Sequence, residues 1–509
     1  MASTTATESL GAEWVQTSPS TYERDLDSFD KFFIFIGSVG QGRPEKQNWH
    51  VATAIKLETK RAPDNFVNDV RDAWIALRHQ FPGYSAVIED GRWIYRTADD
   101  EAELNSWLEE TLHIHDTTTK TARQLFPFPT NPSRRVVLHV LPHTQELLLQ
   151  SPHTHLDAIG SATFFNHMMS YLVAPATSPP AFGTEGTNLS PPCSVLARVP
   201  PNCTPAQQQA WDTYLSTYLS NFPTVRLHNT NKGAPAARSN NQWLTFTPTE
   251  TQLLLSRSRE LGLSITSVGQ AALSLAARLH GRVPNTTHST FAIYDARPYV
   301  DTTEHPLDHL VGSIVFAMPA VFPLVPDDFV ETARKAREVF GAPKKDGDLL
   351  RAVSPFWATD IPAALSATLP EEWPVAADLQ MSSVGVMDDR LTTEHRCEGG
   401  REEIVVRDWW VSLDMLSPNV AVEMWSFRGS LVIELIYNEA YHRAESIKDI
   451  LRLIHEQITQ GLGLHLGFDA RRPGDEEWLV GSEEVVEDGV VGDGVKVAVT
   501  EKIVPVLVE

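Results

Sequence analysis

The stretch Val136-Val137-Leu138-His139-Val140-Leu141-Pro142-His143-Thr144-Gln145-Glu146-Leu147-Leu148-Leu149-Gln150-Ser151-Pro152-His153-Thr154-His155-Leu156-Asp157 decides how the chain is read. Two apolar runs, Val136 to Leu141 and Leu147 to Gln150, have the length and composition of buried strands joined by a short polar break. Pro152 has no N–H to give a strand ladder, so the second strand ends just before it. Beyond Gly160 the period changes: Phe164, Phe165, Met168, Met169 and Leu172 recur at helical spacing. His153, His155 and Asp157 therefore lie where a core strand becomes a core helix, a crossing that turns polar groups into a cleft.

Working outward, residues before about Trp14 read as a flexible leader. Phe32 to Ile36 and His50 to Leu57 read as strands around a Gly/Gln/Pro loop. Pro63-Asp64 opens a helix with Phe66, Val70, Trp74 and Leu77 on one face. Ser85 to Ile88 and Trp93 to Tyr95 form a hairpin, expected to join the Val136 to Gln150 strands in one α/β layer. Ala174 to Asn202 is a Pro/Gly/Ser/Thr-rich loop, and Thr204-Pro205 starts a helix reaching about Leu219.

A domain boundary between Phe222 and Asn241 divides the chain into an N-terminal half, 1–225, and a C-terminal half, 226–468. In the second half Trp243 to Phe246 is a strand, Thr249 caps a helix, and Ser264 to Leu279 is a helix with an Ala-rich packing face. Phe291 to Tyr294 and Val311 to Phe316 are strands, and Phe329 to Phe340 is a helix. Ile404 to Trp410, Ala421 to Phe427 and Ser430 to Tyr437 are further strands, and Ala444 to Leu462 is an amphipathic closing helix. Residues 469–509 read as an acidic, weakly ordered tail.

The 509 residues exceed one ordinary core, and 42% hydrophobic with 21% charged is the composition of a soluble globular chain. A net charge of −23 argues against nucleic acid or an anionic membrane as partner. Cys193, Cys203 and Cys397 form neither a disulfide framework nor a metal cluster, which fits free thiols in the reducing cytoplasm. No signal sequence and no membrane span is read, and a monomer is expected.

A neutral imidazole at His153 suits removal of a proton from a hydroxyl or amine and its return to a leaving group. Asp157 has two candidate jobs: to orient that imidazole, or to pair with a buried arginine. A metal held by His153, His155 and Asp157 lacks further ligands at chemical spacing, so no metal is expected. Histidines satisfied at a strand end, with no chemistry, are the plain structural alternative. There is no GxSxG elbow, P-loop or dinucleotide fingerprint. Ser382-Ser383, before Val384-Gly385, offers hydroxyls to a tetrahedral oxyanion or simply makes a turn. Trp409, Trp410, Trp425 and Phe427 are either cleft or core aromatics.

Pro152-His153-Thr154-His155-Leu156-Asp157-Ala158 resembles the HHxxxDG motif of the CoA-dependent acyltransferase superfamily, which spans condensation domains, BAHD-type enzymes and fungal trichothecene O-acetyltransferases. The resemblance extends over most of residues 45 to 460. It implies an α/β fold of mixed sheets in two chloramphenicol-acetyltransferase-like halves around a central tunnel. It also implies His153 as general base on an acceptor that attacks a thioester, and an aspartate, Asp157, paired with an arginine of the second half, for which Arg297 is the candidate. The co-substrate would be acyl-CoA, with no tightly bound cofactor and a small secondary metabolite as acceptor. Arg390, Arg401 and Lys344-Lys345 are candidate cations for CoA. Pro152 and Ala158 depart from the motif, DFGWG is absent, and Ser382 to Gly385 is closer to the condensation and trichothecene-acetyltransferase side. These departures keep other readings open: a carrier-protein-bound donor, or the same fold used for cyclisation, isomerisation or ligand binding.

Overall fold

The computed structural model describes residues 11–471 apart from 40–45, 99, 128–132, 176–177, 179, 229–230, 232, 346, 354–355, 357–358, 368–376 and 397–402. The acidic stretch 472–509, Arg401 and Cys397 lie outside the described residues.

Among the described residues the strands form four sheets. The largest runs, edge to edge, Glu394–Arg396, Glu403–Leu413, Val51–Glu58, Glu146–Ser151, Val137–Leu141 and Leu112–Ile114. Val137–Leu141 and Glu146–Ser151 are fully buried neighbours, as their unbroken apolar runs require. The helices Pro63–Gln80 and Ala158–Val173 pack against each other beside this sheet. Phe164, Phe165, Met168, Met169 and Leu172 are wholly removed from water, each worth roughly 1.5–3 kcal/mol of burial.

The second large sheet orders Leu379–Val386, Val420–Phe427, Ser430–Asn438, Ser239–Phe246 and the two-residue edge Ala470–Arg471. Helices Ile265–Gly281 and Ala444–Gly461 share its core; Ala271, Ala272, Ala276 and Ala277 are all buried, and small side chains permit that close approach. Glu403–Leu413 reaches back to pair antiparallel with Val51–Glu58, so the chain beyond residue 226 supplies two strands of the first sheet. A buried ion pair also joins distant parts of the chain: Arg123 Nη1 donates to Glu434 Oε2 at 2.8 Å, its guanidinium lying over the rings of Trp243 and Trp410.

Four elements differ from the sequence expectation, each for a visible reason. Phe32 to Ile36 is not a strand but part of the helix Ser28–Ser38. An all-apolar run does not reveal its period, and the decisive signals are the Asp27–Asp30 capping box and the helical spacing of Phe29, Phe32, Phe33 and Ile36. The hairpin Val87–Glu89/Arg92–Arg96 joins Val15–Ser18 and Thr21–Asp25 in a separate four-stranded sheet. Thr247, not Thr249, caps the helix Pro248–Glu260, with Pro248 at its first position and Glu250 completing the box. The strand expected over Val311 to Phe316 begins only at Val315 and runs to Pro323. Carbonyls of Leu310, Val311 and Gly312 and the N–H of Ile314 are taken by side chains instead of a neighbouring strand.

Burial drives the pKa values of His50 and His139 down to about 3 and that of His155 to about 4. An unfolded chain protonates these rings near pH 6.5, so stability is lost as the pH falls below that value, by about 1.4 kcal/mol per pH unit for each ring. Asp27, raised by burial to about 6, and Glu423, raised to about 8, return part of it because the folded chain keeps their protons. The urea midpoint is expected to drop between about pH 6 and about pH 4, and His139→Gln to flatten the drop; a level midpoint in the unsubstituted protein would count against neutral buried imidazoles.

Candidate active site

The segment from Pro152 to Asp157 is a bend pinned at its far end. Asp157 caps Ala158–Val173, its Oδ1 accepting from the Gly160 N–H at 2.6 Å. The same carboxylate accepts from both terminal nitrogens of Arg297, at 2.9 and 3.0 Å, and from the Ile314 N–H at 2.8 Å. Arg297 also donates to the carbonyls of Leu310 and Gly312 and to Asp295. Both charges are buried and every strong hydrogen-bonding direction of the pair is used, which is what a buried ion pair needs to persist. Of the two jobs open to Asp157, this geometry gives it the arginine. A Cβ on Gly160 would stand 2.4 Å from the Val311 carbonyl oxygen, so only glycine lets the helix start sit against that segment.

His153 comes two residues after the end of the motif strand, Glu146–Ser151. Its ring stacks on Phe33, centroids 4.4 Å apart and planes at 14°, and lies 6.2 Å from the Trp49 ring. Trp49 is held at φ +60°, an uncommon conformation for a bulky residue, with its N–H on the Asp414 carbonyl. Nδ1 of His153 is buried with no hydrogen-bond partner. Burial holds the ring's pKa below the ordinary imidazole value, against the pull of its own backbone carbonyl and of Asp157. The imidazole is therefore neutral at pH 7.

His153 lines a cavity of about 170 Å³ whose wall is mostly apolar: Phe32, Phe33, Trp49, Phe291, Ile293 and Leu413. Ser382, Ser383 and Glu423 reach the same space from the second large sheet. Ser382 and Ser383 lie within a strand, not a turn, and the Ser383 hydroxyl is 3.0 Å from that of Thr266. A smaller cavity of about 100 Å³ lies on the Thr154 and His155 side, and Phe33 borders both spaces.

The other sequence candidates are occupied elsewhere. His155 Nε2 donates to the Ala86 carbonyl at 3.0 Å, Thr154 sits on its Nδ1, and Trp93 meets the ring edge-on, so it is a neutral packing histidine. Burial pushes the Cys193 thiol well above its ordinary pKa, which leaves it a poor nucleophile beside the smaller cavity. Trp409, Trp410 and Trp425 are core. Arg390 lies 3.5 Å from Asp295, and the Lys344 ammonium lies over the Tyr294 ring. Among the described residues no group of three or more His, Cys, Asp or Glu side chains is arranged to hold a metal ion, and no helix is long and apolar enough to cross a membrane. Phe33, Trp49 and Glu423 were not singled out from sequence. Glu423 had a signal, a lone acid in the middle of an otherwise apolar strand, Val420 to Trp425.

No protein-family model matches the chain. It is 25% identical over 472 residues to the O-acetyltransferase pigM of Monascus ruber, covering 89% of this chain and 88% of that protein. It is 20% identical over 465 residues to the acetyltransferase pigO of the same organism, covering 89% and 98%. The solved structure of TRI3 trichothecene 15-O-acetyltransferase from Fusarium sporotrichioides superposes with a TM-score of 0.74 over 90% of this chain and 100% of that one. At 16% identity that last likeness is one of fold.

Removing either partner of the Asp157–Arg297 pair leaves a buried charge unmatched. Asp157→Ala and Arg297→Ala are each expected to cost roughly 3–5 kcal/mol in urea unfolding, and the double substitution less than the sum. A loss near zero for both single variants would show that the pair does not hold the bend.

Proposed function

We propose, from the likeness to two fungal acetyltransferases and the shared fold of a trichothecene O-acetyltransferase, that this chain is a CoA-dependent acyltransferase of secondary metabolism with His153 as its general base. The reaction is transfer of an acyl group from a CoA thioester to a hydroxyl of a small apolar molecule. The observation that carries this reading is an imidazole kept neutral by burial, at the end of a buried strand, lining a largely apolar cavity with its Nδ1 bonded to no other residue.

With Nδ1 carrying the ring proton, Nε2 accepts the proton of the acceptor O–H as that oxygen attacks the thioester carbonyl. The resulting imidazolium sits in an apolar pocket with Asp157 as the nearest negative charge, and that carboxylate is already bound to Arg297. Ser382 or Ser383 would give a hydroxyl hydrogen bond to the oxyanion of the tetrahedral intermediate. Collapse of the intermediate breaks the carbon–sulfur bond, and His153 returns its proton to the departing thiolate. The ester, free CoA and the neutral imidazole are recovered, with no covalent enzyme intermediate.

Acyl-CoA is thus a co-substrate and not a resident cofactor. The pocket composition favours an acceptor whose body is apolar, because most of the wall is apolar side chains.

The test is thiol release from acetyl-CoA and longer acyl-CoAs with a panel of aromatic and polyketide alcohols, with ester detected by mass spectrometry. His153→Ala is expected to lower kcat about 10²–10⁴-fold with an unchanged urea midpoint. In the unsubstituted enzyme the acid limb of kcat/KM should fall below pH 6.5, since protonation removes the base. Undiminished ester formation by a folded His153→Ala protein would overturn the assignment.

A further inference from the structure

Glu423 is an acid that the reaction above does not use. It sits in mid-strand on Val420–Phe427, its residue is 5% exposed, and it lines the His153 cavity. Register places Ser382 and Glu434 directly beside it on the two neighbouring strands. Glu434 is matched by Arg123 and by the Asn241 amide. Glu423 has no such cation among the described residues; the Ser382 hydroxyl is the neighbour that favours its ionised form. A buried carboxyl with no cation beside it is costly unless it stays protonated or meets a ligand.

We propose that Glu423 is a positioning residue for the acceptor: as a neutral carboxylic acid it donates a hydrogen bond to an uncharged oxygen, carbonyl or hydroxyl, of the molecule whose reacting hydroxyl lies at His153. The proposal rests on the reading of this cavity as the acyl-acceptor site. Burial raises the Glu423 pKa to about 8, with Glu434 adding to the effect and Ser382 opposing it. At neutral pH the group is thus a donor, which suits a ketone or alcohol and disfavours an ammonium ligand only in so far as the proton is kept.

The charged groups around Glu423 have partners of their own or are held neutral. Asp157 and Asp295 on the cavity wall are both paired with Arg297, Glu434 is paired with Arg123, and His153 is held below 6.5. A binding step near pH 8 that Glu423→Gln removes belongs to Glu423.

The experiment reads equilibrium binding of two matched probes, the neutral ketone acetylnaphthalene and the cation naphthylmethylammonium, by calorimetry. It needs no turnover, so it stands whether or not His153→Ala abolishes transfer. Wild-type protein is expected to bind the ketone at pH 7 and to weaken as the pH rises through about 8. Glu423→Gln, neutral and still a donor, should keep the affinity within about threefold and lose the pH step, while Glu423→Ala should weaken binding about tenfold. Urea midpoints check that both variants fold, and rescue by glutamine separates recognition from mere packing. The proposal is overturned if Glu423→Ala binds the ketone as wild type does, if neither probe binds wild type, or if the ammonium binds more tightly and glutamine abolishes it.

Discussion

The two-point ion pair between Asp157 and Arg297 is the constraint on which the site depends. It joins residues 140 positions apart, ties the start of the motif helix to the 310–314 segment, and consumes backbone groups that would otherwise extend a strand. With Asp157 so occupied, His153 is left free of it. The bend is rigid where it is charged and open where it is reactive. An aspartate hydrogen-bonded to the imidazole would have raised the ring's basicity, whereas here burial dominates and the ring stays neutral.

Position follows from this. The motif strand delivers His153 to the cavity edge, Phe33 fixes the plane of its ring, and Trp49, held in a left-handed backbone conformation, closes the second side. The opposite supply of polar groups comes from the second large sheet, through Ser382, Ser383 and Glu423. Each sheet thus contributes a different chemical element; the pairing of Glu403–Leu413 with Val51–Glu58 builds the late part of the chain into the first sheet, and the Arg123–Glu434 pair reaches the second.

Much of this was legible in the residues themselves. Leucine- and valine-rich runs around the motif read correctly as buried strands, and the Thr204-Pro205 cap marked its helix. Period alone failed at Phe32 to Ile36, where every residue is apolar, and at Val311 to Ile314, whose backbone partners are side chains distant in sequence. The placing of the hairpin in its own sheet was equally unreadable, since strand partners across sheets leave no local mark. At the site, His153, Asp157 and Arg297 were named from the motif and its resemblance. Glu423 was overlooked because a single acid on a strand looks like a solvated residue until the neighbouring strands are known to bury it.

The most direct measurement is the tautomer and titration of His153 by nitrogen-resolved NMR, with its signals assigned through His153→Gln. The expected result is a ring that is neutral at pH 7, titrates below 6.5, carries its proton on Nδ1 and presents an unprotonated Nε2. A ring protonated at pH 7, or one with its proton on Nε2, would leave His153 unable to take a proton from an acceptor, and the account of catalysis would fail with it.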